Sequence, residues 1–199
     1  MNKITVCVIL SVLLMVCMSS VVHAGRVVGI TFGSGLSFPM GDLADKDKYQ
    51  AKLGTRFTMG IDIYPMQRLS VGPFINADFF HPNKLTFRPE YRQETLPVTG
   101  ISVAEVGCAM RYFLITGSKW QPYVKMWIGN SWLSINTKNG GADSDGAFAW
   151  GLGGGVMFMV DKHIGFAGDI LYNHSKTEKR DGDTTDRINL GIALNLLIG

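Results

Sequence analysis

The sequence predicts an all-β fold, an eight-stranded antiparallel transmembrane β-barrel that follows a cleaved N-terminal signal peptide. Three observations predict it: an apolar N-terminal segment, repeated alternation of apolar and polar residues, and an inner strand face that is rich in glycine and in balanced charges. Alternation indicates strands because successive side chains of a strand point to opposite faces.

The N-terminus has the features of a secretory signal peptide. Lys3 is the only charged residue of the first 24, residues 4–18 are mostly apolar, and Ala24 is the small residue expected before a cleavage site. The alternative is an uncleaved transmembrane anchor, but a spanning helix needs about 20 apolar residues and this run is shorter. We therefore expect a signal peptide at residues 1–24 and an outer-membrane β-barrel domain at residues 25–199.

The mature chain is the size of one domain and carries little net charge. Removing residues 1–24 from the 199 leaves 175 residues, with 18 Lys and Arg against 16 Asp and Glu. This balance argues against a nucleic-acid partner, which needs a strongly basic surface. Cys7 and Cys17 leave with the signal peptide, so Cys108 is alone and the mature chain is not a disulfide scaffold.

Eight segments of the mature chain alternate with a period of two residues. The clearest is 53–64, where one face is apolar except for Thr55, and the weakest is 123–135, where Asn130 interrupts the apolar face. No segment after residue 24 is apolar for long enough to form a spanning helix, which argues against a helical membrane protein. The predicted strands are 27–38, 53–64, 69–80, 99–114, 123–135, 148–160, 164–173 and 187–198.

The predicted connections alternate between long and short along the chain. The long ones are polar and turn-rich and comprise residues 39–50, 81–98, 136–147 and 174–186, whereas the tighter ones comprise 65–68, 115–122 and 161–163. Outer-membrane barrels have short periplasmic turns and longer external loops, and an even strand number returns both chain ends to the periplasmic side. We therefore expect four external loops.

Side-chain size indicates which strand face points inward. Alternation alone does not, because a soluble barrel and a membrane barrel show the same period with the faces exchanged. On a water-facing surface glycine weakens a strand and has no side chain to contribute to packing, whereas the crowded interior of a narrow barrel favours small residues. The small residues of the less apolar face are Gly29, Thr31, Gly33, Gly35, Gly107, Ala109, Gly129, Ser131, Gly151, Gly153, Gly155, Gly165, Ala167, Gly191 and Ala193.

The same face carries four acidic and four basic residues. They are Arg56, Asp62, Asp78, Glu105, Arg111, Lys125, Asp169 and Arg187. Charges inside a barrel are tolerated when they pair and hydrogen-bond with one another, and equal numbers of each sign permit that. The alternative is eight solvated charges on a soluble sheet. We expect a charge network in the lumen, with Glu105 as a central member.

Aromatic residues lie near both ends of the predicted strands. Those towards the long connections are Phe38, Phe79, Trp132, Phe148, Trp150 and Tyr172, and those towards the short ones are Tyr64, Tyr112, Trp120 and Tyr123. Aromatic girdles at the two membrane boundaries have this distribution.

Three stretches resemble a known family. They are GITFGSGLSFPMGDL at 29–43, QPYVKMWIGNSW at 121–132 and AWGLGGGVMFMVDKHIGFAGDILY at 149–172. On these, residues 25–199 resemble the small outer-membrane β-barrel family that includes the OmpA-like and OmpX-like domains. The resemblance implies a porin-like barrel of the Gram-negative cell envelope, inserted by the barrel-assembly machinery, and it implies no particular activity.

No residue pattern predicts catalysis, a cofactor or a metal site. The histidines of the predicted mature domain are His81, His163 and His174. Ser175 follows His174, but adjacent strand residues point to opposite faces and do not form a catalytic dyad. Acids two apart at 143 and 145, and at 181 and 183, suit a hard cation, although solvated turn acids are the alternative and neither pair completes a calcium loop. We expect no enzyme activity, no cofactor and no metal.

These observations favour a structural or surface-interaction scaffold in the bacterial outer membrane, with a lumen filled by side chains and four external loops. Loops held by a rigid scaffold are where binding functions commonly reside. The alternatives are a narrow channel or transporter for small solutes, and a lipid A-modifying barrel enzyme. The expected partners are outer-membrane lipid, the barrel-assembly machinery during biogenesis and an extracellular ligand of the loops, with no nucleic acid.

Overall fold

The computed structural model describes residues 28–45, 50–82, 98–137, 142–176 and 184–199. In this part of the chain, eight antiparallel strands form one closed barrel, in which each strand pairs with its neighbours in sequence and the last pairs with the first. The predicted fold class is confirmed. The predicted signal peptide, residues 1–24, lies outside the described residues.

All eight predicted strands are present. They are β1 Val28–Met40, β2 Ala51–Met66, β3 Leu69–Pro82, β4 Val98–Phe113, β5 Trp120–Thr137, β6 Ala142–Met159, β7 Ile164–Ser175 and β8 Asp186–Ile198, and a 3-10 helix at Gly41–Leu43 follows β1. Across the ranges given above, no helix is long and apolar enough to cross a bilayer.

The barrel has two different ends. At the turn end, residues 67–68, 114–119 and 160–163 connect β2 to β3, β4 to β5 and β6 to β7, and β1 begins and β8 finishes there. At the loop end lie the other four connections. In an outer-membrane barrel the turn end faces the periplasm and the loop end faces outward.

One predicted loop is largely strand. The sequence indicated a long connection at 136–147, but β5 continues to Thr137 and β6 begins at Ala142, with Asn136 paired to Ala142 and Leu133 paired to Asp145. Strand pairing uses backbone hydrogen bonds, so a hairpin continues beyond the membrane boundary, where apolar residues are no longer required. The alternation of apolar and polar residues ends at that boundary, although β5 and β6 continue beyond it.

The apolar faces of the strands point outward. Phe57 is 56% exposed and Ile192 is 71% exposed, whereas Arg56, the neighbour of Phe57, is 4% exposed. Ile63 is the exception on the apolar face of β2 because it is buried, and a register shift between Ile63 and Met66 distorts the strand there. The barrel therefore presents to its surroundings the band of apolar side chains that a bilayer requires.

Glycine permits close contact between strands β4 and β5. Gly107 pairs with Gly129, and a Cβ atom on either residue would overlap a carbonyl oxygen of the opposite strand, that of Ile128 or Val106. A side chain at either position would force these strands apart. This close approach explains two of the glycines on the inner face.

Candidate functional site in the barrel lumen

All eight charged residues of the predicted network lie inside the barrel. Six are buried, and Lys125 and Asp169 are half-buried. The described contacts separate them into two groups. The loop-side cluster comprises Arg56, Asp78, Glu105 and Arg187, and the turn-side cluster comprises Asp62, Arg111, Lys125 and Asp169.

Glu105 and Arg187 are at the centre of the loop-side cluster. The Arg187 guanidinium donates a hydrogen bond to Glu105 Oε1, and its Nε lies 3.3 Å from Asp78 Oδ2. The other carboxylate oxygen of Glu105 accepts a 3.1 Å hydrogen bond from Asn76 and lies 3.8 Å from Arg56 Nη2. Glu105 thus contacts bases from β2 and β8, on strands that are distant from β4 in the chain.

Arg111 organises the turn-side cluster. Its Nη2 donates to Asp62 Oδ2 at 2.8 Å and to Thr31 Oγ1 at 3.0 Å, and its Nη1 donates to Asn195 Oδ1 at 3.0 Å. Ser70 donates to the other oxygen of Asp62 at 3.2 Å. A guanidinium that donates several directed hydrogen bonds holds its partners in one arrangement, which favours a single packing of the lumen side chains.

Lys125 and Asp169 complete the turn-side cluster. The Lys125 Nζ lies 3.5 Å from Asp169 Oδ2, and the hydroxyl of Tyr123 donates to the same oxygen at 3.3 Å. The guanidinium of Arg111 lies 5.8 Å from the centroid of the Tyr123 ring, which links the two ion pairs through a cation–π contact.

Each cluster is electrically neutral, because each contains two acids and two bases. A buried charge costs free energy unless an opposite charge and hydrogen bonds compensate it. Opposite charges therefore balance locally at two separate levels of the barrel, and neither level depends on the other for charge balance. The carboxylates and bases together can hold side chains across the lumen and oppose the entry of an uncompensated ion.

Apolar side chains fill three further layers of the lumen. The loop-end layer comprises Leu43, Ala51, Phe80, Ile101, Val103, Leu133 and Ile135. The middle layer comprises Phe74, Ala109, Trp127 and Ala149. The turn-end layer comprises Phe113, Tyr123, Met157 and Ala167, with Tyr64, Met159 and Ala193 packed against it. The lumen therefore alternates between apolar and charged layers.

The largest of these apolar residues was not predicted from the sequence. Trp127 is 2% exposed, its Nε1 donates to Asn173 Oδ1 at 2.7 Å, and its ring lies edge-on to Phe74 with centroids 5.1 Å apart. Its register with Lys125 and Gly129 was the available signal. Leu43 had no such signal, because it reaches the loop-end layer from the 3-10 helix and not from a strand.

Two residues assigned to the turn-end aromatic girdle lie in the lumen instead. Tyr123 is buried in the turn-end layer, and Tyr64 stacks on Phe113 with ring centroids 6.2 Å apart. Their positions follow from strand register, since Tyr64 shares a face with Asp62 and Tyr123 shares one with Lys125. The exposed members of the two predicted girdles are Tyr112 and Trp120 at the turn end and Phe38, Phe79, Trp132, Phe148 and Trp150 at the loop end, and Tyr172 is half-buried.

The described histidines and acids form no metal-binding cluster of the usual composition. In the described ranges, no three His, Cys, Asp or Glu side chains are grouped to hold a metal ion. His174 Nδ1 lies 2.6 Å from Asp186 Oδ1, while Ser175 is buried and contacts Thr185. His174 and Ser175 thus have separate surroundings. Of the acid pairs considered for a cation, 181 and 183 lie outside the described residues, as do the side chains of 143 and 145.

Comparison with solved structures finds barrels of the same kind at low sequence identity. Neisserial surface protein A matches with a TM-score of 0.59 and 11% identity over 87% of this chain and 97% of that one. Ail of Yersinia pestis, solved in complex with the heparin analogue sucrose octasulfate, matches with a TM-score of 0.52 and 14% identity over 86% and 99%. OprG of Pseudomonas aeruginosa matches with a TM-score of 0.50 and 13% identity over 87% and 95%. At these identities the likeness is one of fold.

A sequence-family comparison gives the classification. No curated protein matches the chain. The model of the outer membrane protein beta-barrel domain, however, matches residues 8–195, which is most of the chain. The closed eight-stranded barrel, its apolar exterior and this match agree, and the chain belongs to the outer membrane protein β-barrel family and resides in the bacterial outer membrane.

Proposed function

We propose that the protein is a non-enzymatic scaffold, closed to solutes by its own side chains, which presents four external loops to a ligand outside the cell. The observation that carries the proposal is the layered lumen, in which two neutral charge clusters alternate with three apolar layers. An eight-stranded barrel is just wide enough for side chains to fill its interior.

The cavities within the lumen support closure. Two cavities of about 20 Å³ each lie among the lumen charges, both lined by Thr58, Arg111 and Lys125. A cavity of this size holds about one water molecule. Passage of a hydrated ion would therefore require the side chains of both charge clusters to move.

Other barrels of this size provide a precedent for ligand binding. Ail was solved with a heparin analogue bound, so a protein of this fold can bind a ligand without an enzymatic site being implied. We propose an extracellular ligand for the loops of this chain, with outer-membrane lipid around the apolar band and the barrel-assembly machinery as a transient partner during biogenesis. No nucleic acid is proposed as a partner.

Substitution of Glu105 tests the closed lumen. Glu105→Ala removes one of the two carboxylates that Arg187 contacts and leaves the loop-side cluster with two bases and one acid. Breaking a buried pair typically costs about 3–5 kcal/mol, less where water reaches the charge. We expect urea unfolding in lipid vesicles to show this loss, and planar-bilayer recordings to show negligible current for the wild type and more for the variant. Lys52→Ala, which removes an exposed charge at the loop end of β2, is the control and should change neither quantity.

Two results would contradict the proposal. Steady conductance by the wild type, with Glu105→Ala unchanged in stability and current, would favour the narrow channel or transporter. Turnover of labelled lipid A by the purified barrel, abolished in a variant of a specific polar residue, would favour the barrel enzyme.

A further inference from the structure

A cavity of about 880 Å³ lies at the turn end of the barrel. Small-molecule sites typically measure about 300–1,000 Å³, so this turn-end vestibule has the volume of a ligand site. All three short turns and the C-terminal Leu197 contribute to its walls. It is separate from the two small cavities among the lumen charges.

The floor of the turn-end vestibule is apolar. Tyr64 and Met159 are partly exposed in it and pack against Phe113 and Met157, which are 1% exposed and lie beneath them. These residues belong to the turn-end layer, which also contains Tyr123 and so lies directly against the turn-side charge cluster. The vestibule is therefore a blind pocket whose inner wall can receive an apolar group.

The charged residues in the vestibule wall are Lys119, Lys162 and Asp161. The Asp161 carboxylate is engaged within its own turn, since Oδ1 accepts hydrogen bonds from the backbone N–H groups of His163 at 2.6 Å and Ile164 at 2.8 Å. The two lysines leave the wall with a net positive charge. A pocket with an apolar floor and a basic rim complements a molecule with an apolar chain and an anionic head.

We propose that the turn-end vestibule binds a fatty acid, with its acyl chain against Tyr64 and Met159 and its carboxylate at Lys119 and Lys162. The pocket lies at the depth of the inner-leaflet boundary, because Trp120 and Tyr112 are exposed on the outer wall at the same end. A fatty acid bound in the vestibule would therefore have its carboxylate at about the same depth as the head groups of that leaflet.

Methionine methyl groups report directly on this pocket. The refolded protein, labelled with ¹³C-methyl methionine and placed in phosphatidylcholine nanodiscs, should be titrated with decanoate. We expect saturable shifts of the Met157 and Met159 methyl signals, assigned through Met157→Leu and Met159→Leu. Met59 and Met110, which are exposed on the outer face, control for decanoate that merely enters the bilayer.

Charge and chain length separate specific binding from partitioning. Lys119→Ala and Lys162→Ala should each weaken binding about two- to fivefold, as expected for partly exposed ion pairs, and the double variant about tenfold. Lys52→Ala, at the loop end of the barrel, should have no effect. Each methylene removed from the fatty acid should weaken binding about fourfold, and decanol should bind much more weakly than decanoate.

Three outcomes would overturn the proposal: no saturable shift at Met157 and Met159, equal shifts with decanol and decanoate, or unchanged affinity in the double lysine variant. Heat-modifiable gel migration of every variant verifies that the barrel has formed, so a loss of binding reports on the pocket and not on folding. The result is independent of the conductance and lipid A experiments above.

Discussion

At the scale of single residues, the placement of Trp127 depends on a missing side chain. Gly151 lies opposite it on β6, and a Cβ atom there would overlap Trp127 Nε1 and come within 2.6 Å of Asn173 Oδ1. The glycine thus leaves space both for the indole ring and for its hydrogen bond to β7. This is the physical reason for a glycine in the middle of a strand at this position.

Gly151→Ala should therefore destabilise the barrel. Inserting a carbon into a packed interior typically costs about 1–3 kcal/mol, and here it also displaces the Trp127 to Asn173 hydrogen bond. The matched control is Gly168→Ala on β7, where the nearest atom to an added Cβ is 4.0 Å away. Urea unfolding of both variants in lipid vesicles measures the difference, and equal stability would contradict the tight packing of Trp127.

Cys108 should be protected from water-soluble reagents in the membrane. It is half-buried and in register with Val106 and Met110, both exposed on the outer wall. We expect a charged maleimide to label it only after denaturation of the membrane-embedded protein. A Cys108→Ser protein with a thiol introduced by Asp45→Cys provides the accessible control. Rapid labelling of native Cys108 would show that the residue does not face lipid.

At the scale of elements, the turn between β6 and β7 is held by Asp161. Its carboxylate accepts the backbone N–H groups of His163 and Ile164, and these two hydrogen bonds lower the pKa of the carboxyl below its ordinary value. The same turn contacts the last strand, because His163 O accepts a 2.7 Å hydrogen bond from Leu197 N. Asp161 thereby supports the closure of the barrel at the turn end.

The contribution of Asp161 should depend on pH. Because the folded-state pKa is lowered, the stabilisation is fully present above the unfolded pKa of about 4 and is lost as pH falls through the folded value. We expect wild type to exceed Asp161→Asn in stability at neutral pH, and the difference to diminish below about pH 4. Unfolding titrations at a series of pH values measure it; a constant difference across that range would contradict the assigned role.

At the scale of the whole molecule, an apolar band lies between two aromatic boundaries. Trp132 and Trp150 are partly exposed near the loop end, where Trp150 packs edge-on against Tyr172 with centroids 5.8 Å apart. Met59 and Ile192 lie nearer the middle of their strands and are exposed on the outer wall. Substitutions should therefore have effects that depend on depth.

We expect Met59→Arg and Ile192→Arg to destabilise the barrel more than Trp132→Ala and Trp150→Ala do. An arginine on the lipid face near the midplane costs about 2–4 kcal/mol, whereas loss of an interfacial tryptophan removes packing and boundary contacts. Reversible unfolding in phosphatidylcholine vesicles compares the four variants. Equal destabilisation by the two classes would mean that the membrane boundaries are misplaced.

The sequence by itself determined the strand number, the outward face of each strand and the set of lumen charges. These properties are local, since a period of two residues decides which side chains share a face. The same rule correctly assigned Arg56 to the inner face of β2 and Phe57 to the outer face. It also placed Tyr64 with Asp62, and the assignment of Tyr64 to the outer girdle was wrong because it disregarded that register.

Only the tertiary structure decided which of those side chains meet. Glu105 bonds to Arg187, 82 residues away, because barrel closure and strand stagger bring β8 across the lumen from β4. Leu43 enters the loop-end layer from the 3-10 helix that follows β1. Backbone pairing extends β5 and β6 beyond the residues that alternate between apolar and polar. Alternation specifies a face but neither a height in the barrel nor a partner across it, since both depend on the register of strands that are far apart in the chain.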